Sequence, residues 1–171
     1  EIPCGKVYGN VKKVTDTIYN IVNGDVTHLS QANEYYFDSL NRLVEMRCCT
    51  YRVEKDKTGE EVGMSVSYQQ IAKYRYDRDG RRVESNTKNS RYQSDMTEIN
   101  RFSERLVSLN GNNEKWEMTI TDQDGGVSTG EMFYQYEEDR ILIDVIDPET
   151  QEKKRFVRVF DDKENQIEFR S

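Results

Sequence analysis

A short phrase recurs along this chain: an aromatic residue, an aspartate, two turn-forming positions, a Gly or Asn, then a basic or polar residue and an aliphatic one. It reads Phe37-Asp38-Ser39-Leu40-Asn41-Arg42-Leu43-Val44, then Tyr76-Asp77-Arg78-Asp79-Gly80-Arg81-Arg82-Val83, and more loosely Phe160-Asp161-Asp162-Lys163-Glu164-Asn165-Gln166-Ile167. An aspartate bonds the backbone two residues on, and Gly or Asn accepts the positive φ that closes a short hairpin loop. Each copy therefore specifies two antiparallel strands and their turn, a unit that needs neighbours to bury a face. Glu164 stands where the third copy should carry Gly or Asn, which predicts a different turn type or a more mobile loop there.

Between the copies the dominant pattern is alternation. Met64-Ser65-Val66-Ser67-Tyr68 and Trp116-Glu117-Met118-Thr119-Ile120-Thr121 put apolar residues on one face and polar ones on the other, as half-buried strands do. Ile141-Leu142-Ile143-Asp144-Val145-Ile146 is apolar on nearly both faces and reads as the most central, doubly covered strand. Turns are expected at Asn23-Gly24, Lys57-Thr58-Gly59, Asn110-Gly111-Asn112-Asn113, Asp124-Gly125-Gly126 and Pro148-Glu149-Thr150. Tighter connections are expected at Phe102-Ser103-Glu104-Arg105-Leu106 and Tyr136-Glu137-Glu138-Asp139-Arg140-Ile141. Leu29, Ala32, Tyr36, Leu40 and Leu43 have near-helical spacing, but Tyr36-Phe37-Asp38 belongs to the repeat phrase, and the strand reading prevails. The fold class is thus all-β: an antiparallel β-hairpin meander of about a dozen strands, enough to curl, roll or split into two layers. Two prolines and no Ser/Gly-rich linker give no domain boundary, so residues 1–171 read as a single domain.

The phrase resembles the YD repeat of Rhs-type proteins, in which Tyr-x-Tyr-Asp-x-x-Gly-Arg-Leu recurs. Tyr74-Arg75-Tyr76-Asp77-Arg78-Asp79-Gly80-Arg81 matches it best, with Tyr36-Phe37-Asp38 through Arg42-Leu43 close behind and Arg158-Val159-Phe160-Asp161 looser. The resemblance implies a β-hairpin array of the kind found in large bacterial toxin shells, in teneurins, and in short secreted or lipid-anchored proteins of Bacteroidetes-like bacteria. The toxin-shell function does not carry over. Such shells need many more repeats, and their autoproteolytic Asp-Pro-x-Gly motif is missing, since Asp147-Pro148 continues as Glu149-Thr150-Gln151.

Composition narrows the function classes. Only 35% of residues are hydrophobic and 33% are charged, with a mean hydropathy of −0.95. Eleven Tyr and six Phe make up part of the apolar shortfall. A net charge of −7 argues against nucleic acid and anionic membrane surfaces, both of which reward clustered Lys and Arg. No stretch approaches the roughly 20 apolar residues of a membrane-spanning helix. The chain begins at Glu1, as a trimmed product would. With the resemblance, this sets the expectation of an exported protein, periplasmic or at the cell surface, tethered at a lipidated cysteine upstream. Cys4, Cys48 and Cys49 are too few and too unevenly spaced for a paired zinc site. Cys48 and Cys49 point to opposite faces of a strand. One of them can pair with Cys4, or all three serve as small buried hydrophobes.

Catalytic patterns are sparse. The sole histidine, His28, would have to carry any nucleophilic triad alone, and a polar strand or loop position is its plainer role. No phosphate-binding glycine loop or zinc-protease motif occurs. Asp77-Arg78-Asp79-Gly80 and Asp122-Gln123-Asp124-Gly125-Gly126 open like calcium loops but lack the closing Glu, so they read as hairpin turns, and no cofactor is expected. The expected role is a structural or protein-interaction module, offering long edges at Val7 to Val22 and Ile167 to Arg170 for strand addition. The alternative is a carbohydrate-binding protein using Tyr35, Tyr68, Tyr74, Trp116 and Tyr134 as stacking surfaces, although repeat aromatics commonly pack under the next hairpin. A glycoside hydrolase built on an Asp/Glu pair ranks third.

Overall fold

The computed structural model describes residues 10–92, 94–160 and 166–170. All its regular elements are strands: β1 (Lys13–Val22), β2 (Asp25–Phe37), β3 (Leu43–Lys55), β4 (Glu61–Tyr76), β5 (Arg82–Tyr92), β6 (Met96–Asn110), β7 (Asn113–Asp122), β8 (Val127–Tyr136), β9 (Arg140–Ile146), β10 (Lys153–Phe160) and β11 (Gln166–Arg170). Hydrogen-bonded neighbours follow sequence order from β1 to β11, so the chain is a meander with β1 and β11 at the ends of the order. Among the described residues no helix is long and apolar enough to cross a membrane.

The repeat phrase builds one turn with repeating geometry. Asp38 Oδ1 accepts the N–H groups of Leu40 and Arg42 at 2.9 and 3.0 Å, the Asp38 carbonyl accepts Asn41 N–H, and Asp38 N–H donates to Arg42 O. Asp77 repeats the pattern with Asp79, Arg81 and Gly80. So do Asp56, with Thr58, Glu60 and Gly59, and Asp122, with Asp124, Gly126 and Gly125. The fourth position is left-handed each time: Asn41 at φ 58°, Gly59 at 88°, Gly80 at 82° and Gly125 at 85°. This is a three-residue hairpin loop closed by a residue of positive φ. The two calcium-like openings are turns of this kind, with one oxygen of the Asp77 and of the Asp122 carboxylate accepting two N–H groups of its own loop. The turn of the third copy, residues 161–165 with Glu164 among them, lies outside the described residues, as does Cys4.

Two expectations are corrected. Phe102–Leu106 is no connection but the middle of β6; without Gly, Asn or Asp to turn the chain, its alternation simply continues. Ile141–Ile146 lies in β9, third from one end of the strand order. Of its residues only Ile143 is buried, the others being half-buried or exposed.

The chain groups into two compact units whose boundaries cut through β4, β5 and β6. Unit 1 comprises Glu1–Arg75 and Thr87–Asn100. Its apolar row runs in register from Tyr35 to Met46 to Ala72, with Tyr35 and Ala72 buried. Next to it Asp16, Asn33, Cys48 and Gln70 stand opposite one another in a polar row. Cys48 and Cys49 are free thiols, and burial pushes the Cys48 thiol up. Unit 2 comprises Tyr76–Asn86 and Arg101–Ser171. Its core is Trp116, Met118 and Met132, flanked by Phe102, Leu106, Tyr134 and Val145.

Candidate binding site

Unit 2 carries a recess of about 310 Å³ on β6 to β10. Alternation creates it. Trp116 and Met132 turn one way into the core, so Lys115 and Phe133 leave the other face. Register then aligns side chains from four strands: Lys115 opposite Phe133, Phe133 opposite Asp144, and Asp144 opposite Arg155. A second line beside it runs Asn113, Gln135, Leu142. Ser108 and Asn110 at the end of β6 close the rim.

The charged groups of the recess are matched internally. Lys115 Nζ lies 2.7 Å from Glu131 Oε1 and 5.2 Å from the Phe133 ring centroid. Asp144 accepts Arg155 Nε and Nη2 at 2.6 and 2.7 Å, and Lys153 Nζ stands 3.3 Å away. The Arg155 hydrogen bonds, with help from Lys153, hold the Asp144 carboxyl down at about 2. It therefore stays ionised near neutrality and has no proton to give as a general acid. Glu114 accepts Trp116 Nε1 at 2.9 Å and the Tyr136 hydroxyl at 3.2 Å. Burial, then the Glu114 charge, pushes the Tyr136 hydroxyl up to about 12.

The five aromatics named from sequence have separate fates. Tyr35 and Trp116 are each 3% exposed and offer no face for stacking. Trp116 is capped by Arg82, whose guanidinium carbon lies 5.1 Å from the ring centroid. Tyr68 and Tyr74 are half-buried on β4; the Tyr68 hydroxyl donates to Asn89 Oδ1 at 2.7 Å. Tyr134, on β8, packs on the Trp116 core, stacks on Tyr136 with centroids 6.2 Å apart, and contributes to the recess wall. Trp116 and Tyr134 thus meet in one cluster, whereas Tyr35, Tyr68 and Tyr74 belong to unit 1. His28 is on β2, its Nε2 3.1 Å from Glu61 Oε2.

Sequence reasoning passed over Phe133, Asn113, Gln135 and Leu142. Their signal is the odd-numbered phase of β8, Glu131-Phe133-Gln135, which becomes a surface only once the registers of β7 and β9 are known. No protein-family model matches the chain, and a search of curated proteins finds no match either.

Proposed function

We propose that this chain is an interaction module, similar to the short exported YD-repeat proteins, and that it binds a protein partner by adding a strand of the partner to β1. The observation that carries this reading is the state of β1. It is a ten-residue end strand, and among the described residues it pairs with β2 alone. From Lys13 to Ile18 its register is regular, and the backbone groups on its outer side have no partner strand among the described residues. Beyond that, Ile18, Tyr19 and Ile21 are exposed, with Ile21 at 67% opposite Val26 at 65%. Native edges are commonly guarded by charge or bulges. Here the Lys13 ammonium is drawn back onto Glu34 and the Tyr36 ring, 5.3 Å away. Register shifts at Ile18/Tyr19 and Tyr19/Ile21 bend only the distal half, which limits promiscuous stacking while sparing the proximal edge. Main-chain bonds along such an edge supply affinity, and alternate side chains supply specificity.

Panning a random peptide library on the purified chain tests this. Peptides of alternating apolar pattern are expected to be enriched on the wild type and lost on an Ile18→Lys/Ile21→Lys variant. Equal recovery on both would remove the proposal. The same reading places the protein outside the cytoplasm, in the periplasm or at the cell surface, tethered by a lipid upstream. Protease accessibility on intact cells making the natural protein tests that part.

A further inference from the structure

We infer that the recess on β6 to β10 is a binding site for one uncharged sugar ring, separate from the β1 edge and independent of the interaction reading. Its volume, about 310 Å³, lies at the small end of the range for ligand pockets, roughly 300–1,000 Å³, and admits a single ring rather than a long segment. The charges around it are already satisfied: Lys115 by Glu131, Asp144 by Arg155 and Lys153, Glu114 by Trp116 and Tyr136. An ionic ligand would have to break one of these pairs.

What is left to recognise a ligand is neutral. The Ser108 hydroxyl and the Asn110 and Asn113 carboxamides make no side-chain hydrogen bond among the described residues. Gln135 spends its Nε2 on Glu137 at 3.1 Å and keeps its carbonyl oxygen for an incoming donor. Hydroxyl and carboxamide groups each combine donor and acceptor, which matches a sugar hydroxyl acting as both. Phe133, 37% exposed, and half-buried Leu142 supply the apolar floor that the C–H face of a pyranose requires.

The test is a titration of the isotopically labelled chain with the methyl glycosides of glucose, galactose, mannose and N-acetylglucosamine, with glucuronate as the charged counterpart, followed by amide NMR shifts. The expected result is saturable movement of amides around Asn113, Phe133 and Leu142 with at least one neutral glycoside. Asn113→Ala should weaken it about tenfold, equivalent to about 1.4 kcal/mol. Phe133→Ser should weaken it at least as much, with circular dichroism confirming that both variants fold. The Ile18→Lys/Ile21→Lys variant should bind the glycoside like the wild type. The inference is overturned if no neutral glycoside moves these amides, if glucuronate binds as well, if both recess variants bind like the wild type, or if β1-selected peptides occupy the recess instead.

Discussion

The Asn89 carboxamide donates to Asn100 Oδ1 at 2.7 Å while its own oxygen accepts the Tyr68 hydroxyl at 2.7 Å and Gln70 Nε2 at 3.1 Å. One side chain therefore joins three strands within unit 1. Further along the same row, Asn33 accepts from Gln31 at 2.8 Å and donates to Asp16 at 3.4 Å. A polar row of this kind contributes mainly when complete, because a half-buried amide stripped of its partner keeps its desolvation cost. Asn89→Leu should lower stability by about 2 kcal/mol, read as a lower urea midpoint at an unchanged slope. A double-mutant cycle with Asn100→Ala should show coupling between the two amides.

A glycine makes a second, steric prediction. A Cβ on Gly130 would stand 2.2 Å from the Ile146 carbonyl oxygen and 2.9 Å from Pro148 N. The β9–β10 turn is pinned over this spot by Gln151 Nε2, which donates to Thr129 O at 3.0 Å. The backbone has nowhere to go, so Gly130→Ala should cost about 3 kcal/mol by overpacking, measured by thermal or urea unfolding. A neutral result would mean that the turn sits farther from β8.

The repeated turn can be tested at its left-handed position. Gly80→Ala places a side chain at φ 82° and should cost about 1–2 kcal/mol. Asn41→Gly relieves the same constraint at φ 58° and should leave stability unchanged or slightly raised. Equal losses at the two sites would argue that these loops do not share one geometry.

These turns show what the sequence made legible. Their hydrogen bonds are local, closing within five residues of an aspartate, so Asp38 and Asp77 announce them without knowledge of anything distant. Asp56 and Asp122 build the same loop but follow Lys55 and Thr121 rather than an aromatic, so their likeness to the phrase was masked although the turns themselves were plain. Phe102–Leu106 misled because an aromatic and an aliphatic flanking polar residues imitate the phrase without the residue that turns the chain.

The polar row and the recess were not legible for a different reason. Asn33, Gln70, Asn89 and Asn100 each look like ordinary solvent-facing strand residues. Only register brings them side by side, and a slip of one residue would send each to the opposite face. Phe133 likewise alternates with Met132 and Tyr134, and nothing in β8 alone says which phase faces a hollow.

Acid should loosen the fold through carboxylates held below their ordinary range. Asp38 is lowered by the Arg42 N–H and then the Arg42 side chain, Asp56 by the Thr58 hydroxyl and N–H, and Asp147 by the N–H groups of Thr150 and Glu149. Asp144 falls furthest, from 3.8 to about 2, chiefly through Arg155. A carboxyl with a lower pKa folded than unfolded takes up its proton more readily in the unfolded chain. For Asp144 the contribution is therefore present above about pH 4 and fades as pH falls towards 2. Asp144→Asn should be less stable than the wild type at pH 7, and the gap should close between pH 4 and pH 2. A gap that persisted at pH 2 would show that Asp144 acts through packing instead.

The central claim is that β1 receives a partner strand, and hydrogen–deuterium exchange reads this directly. In the free chain the outward N–H groups of Lys13–Ile18 should exchange fast, as those of an unpaired edge do. With a β1-selected peptide bound, protection should rise along Lys13–Val22 and little elsewhere. Protection that appeared only around Asn113 and Phe133, or β1 amides equally slow with and without peptide, would contradict strand addition.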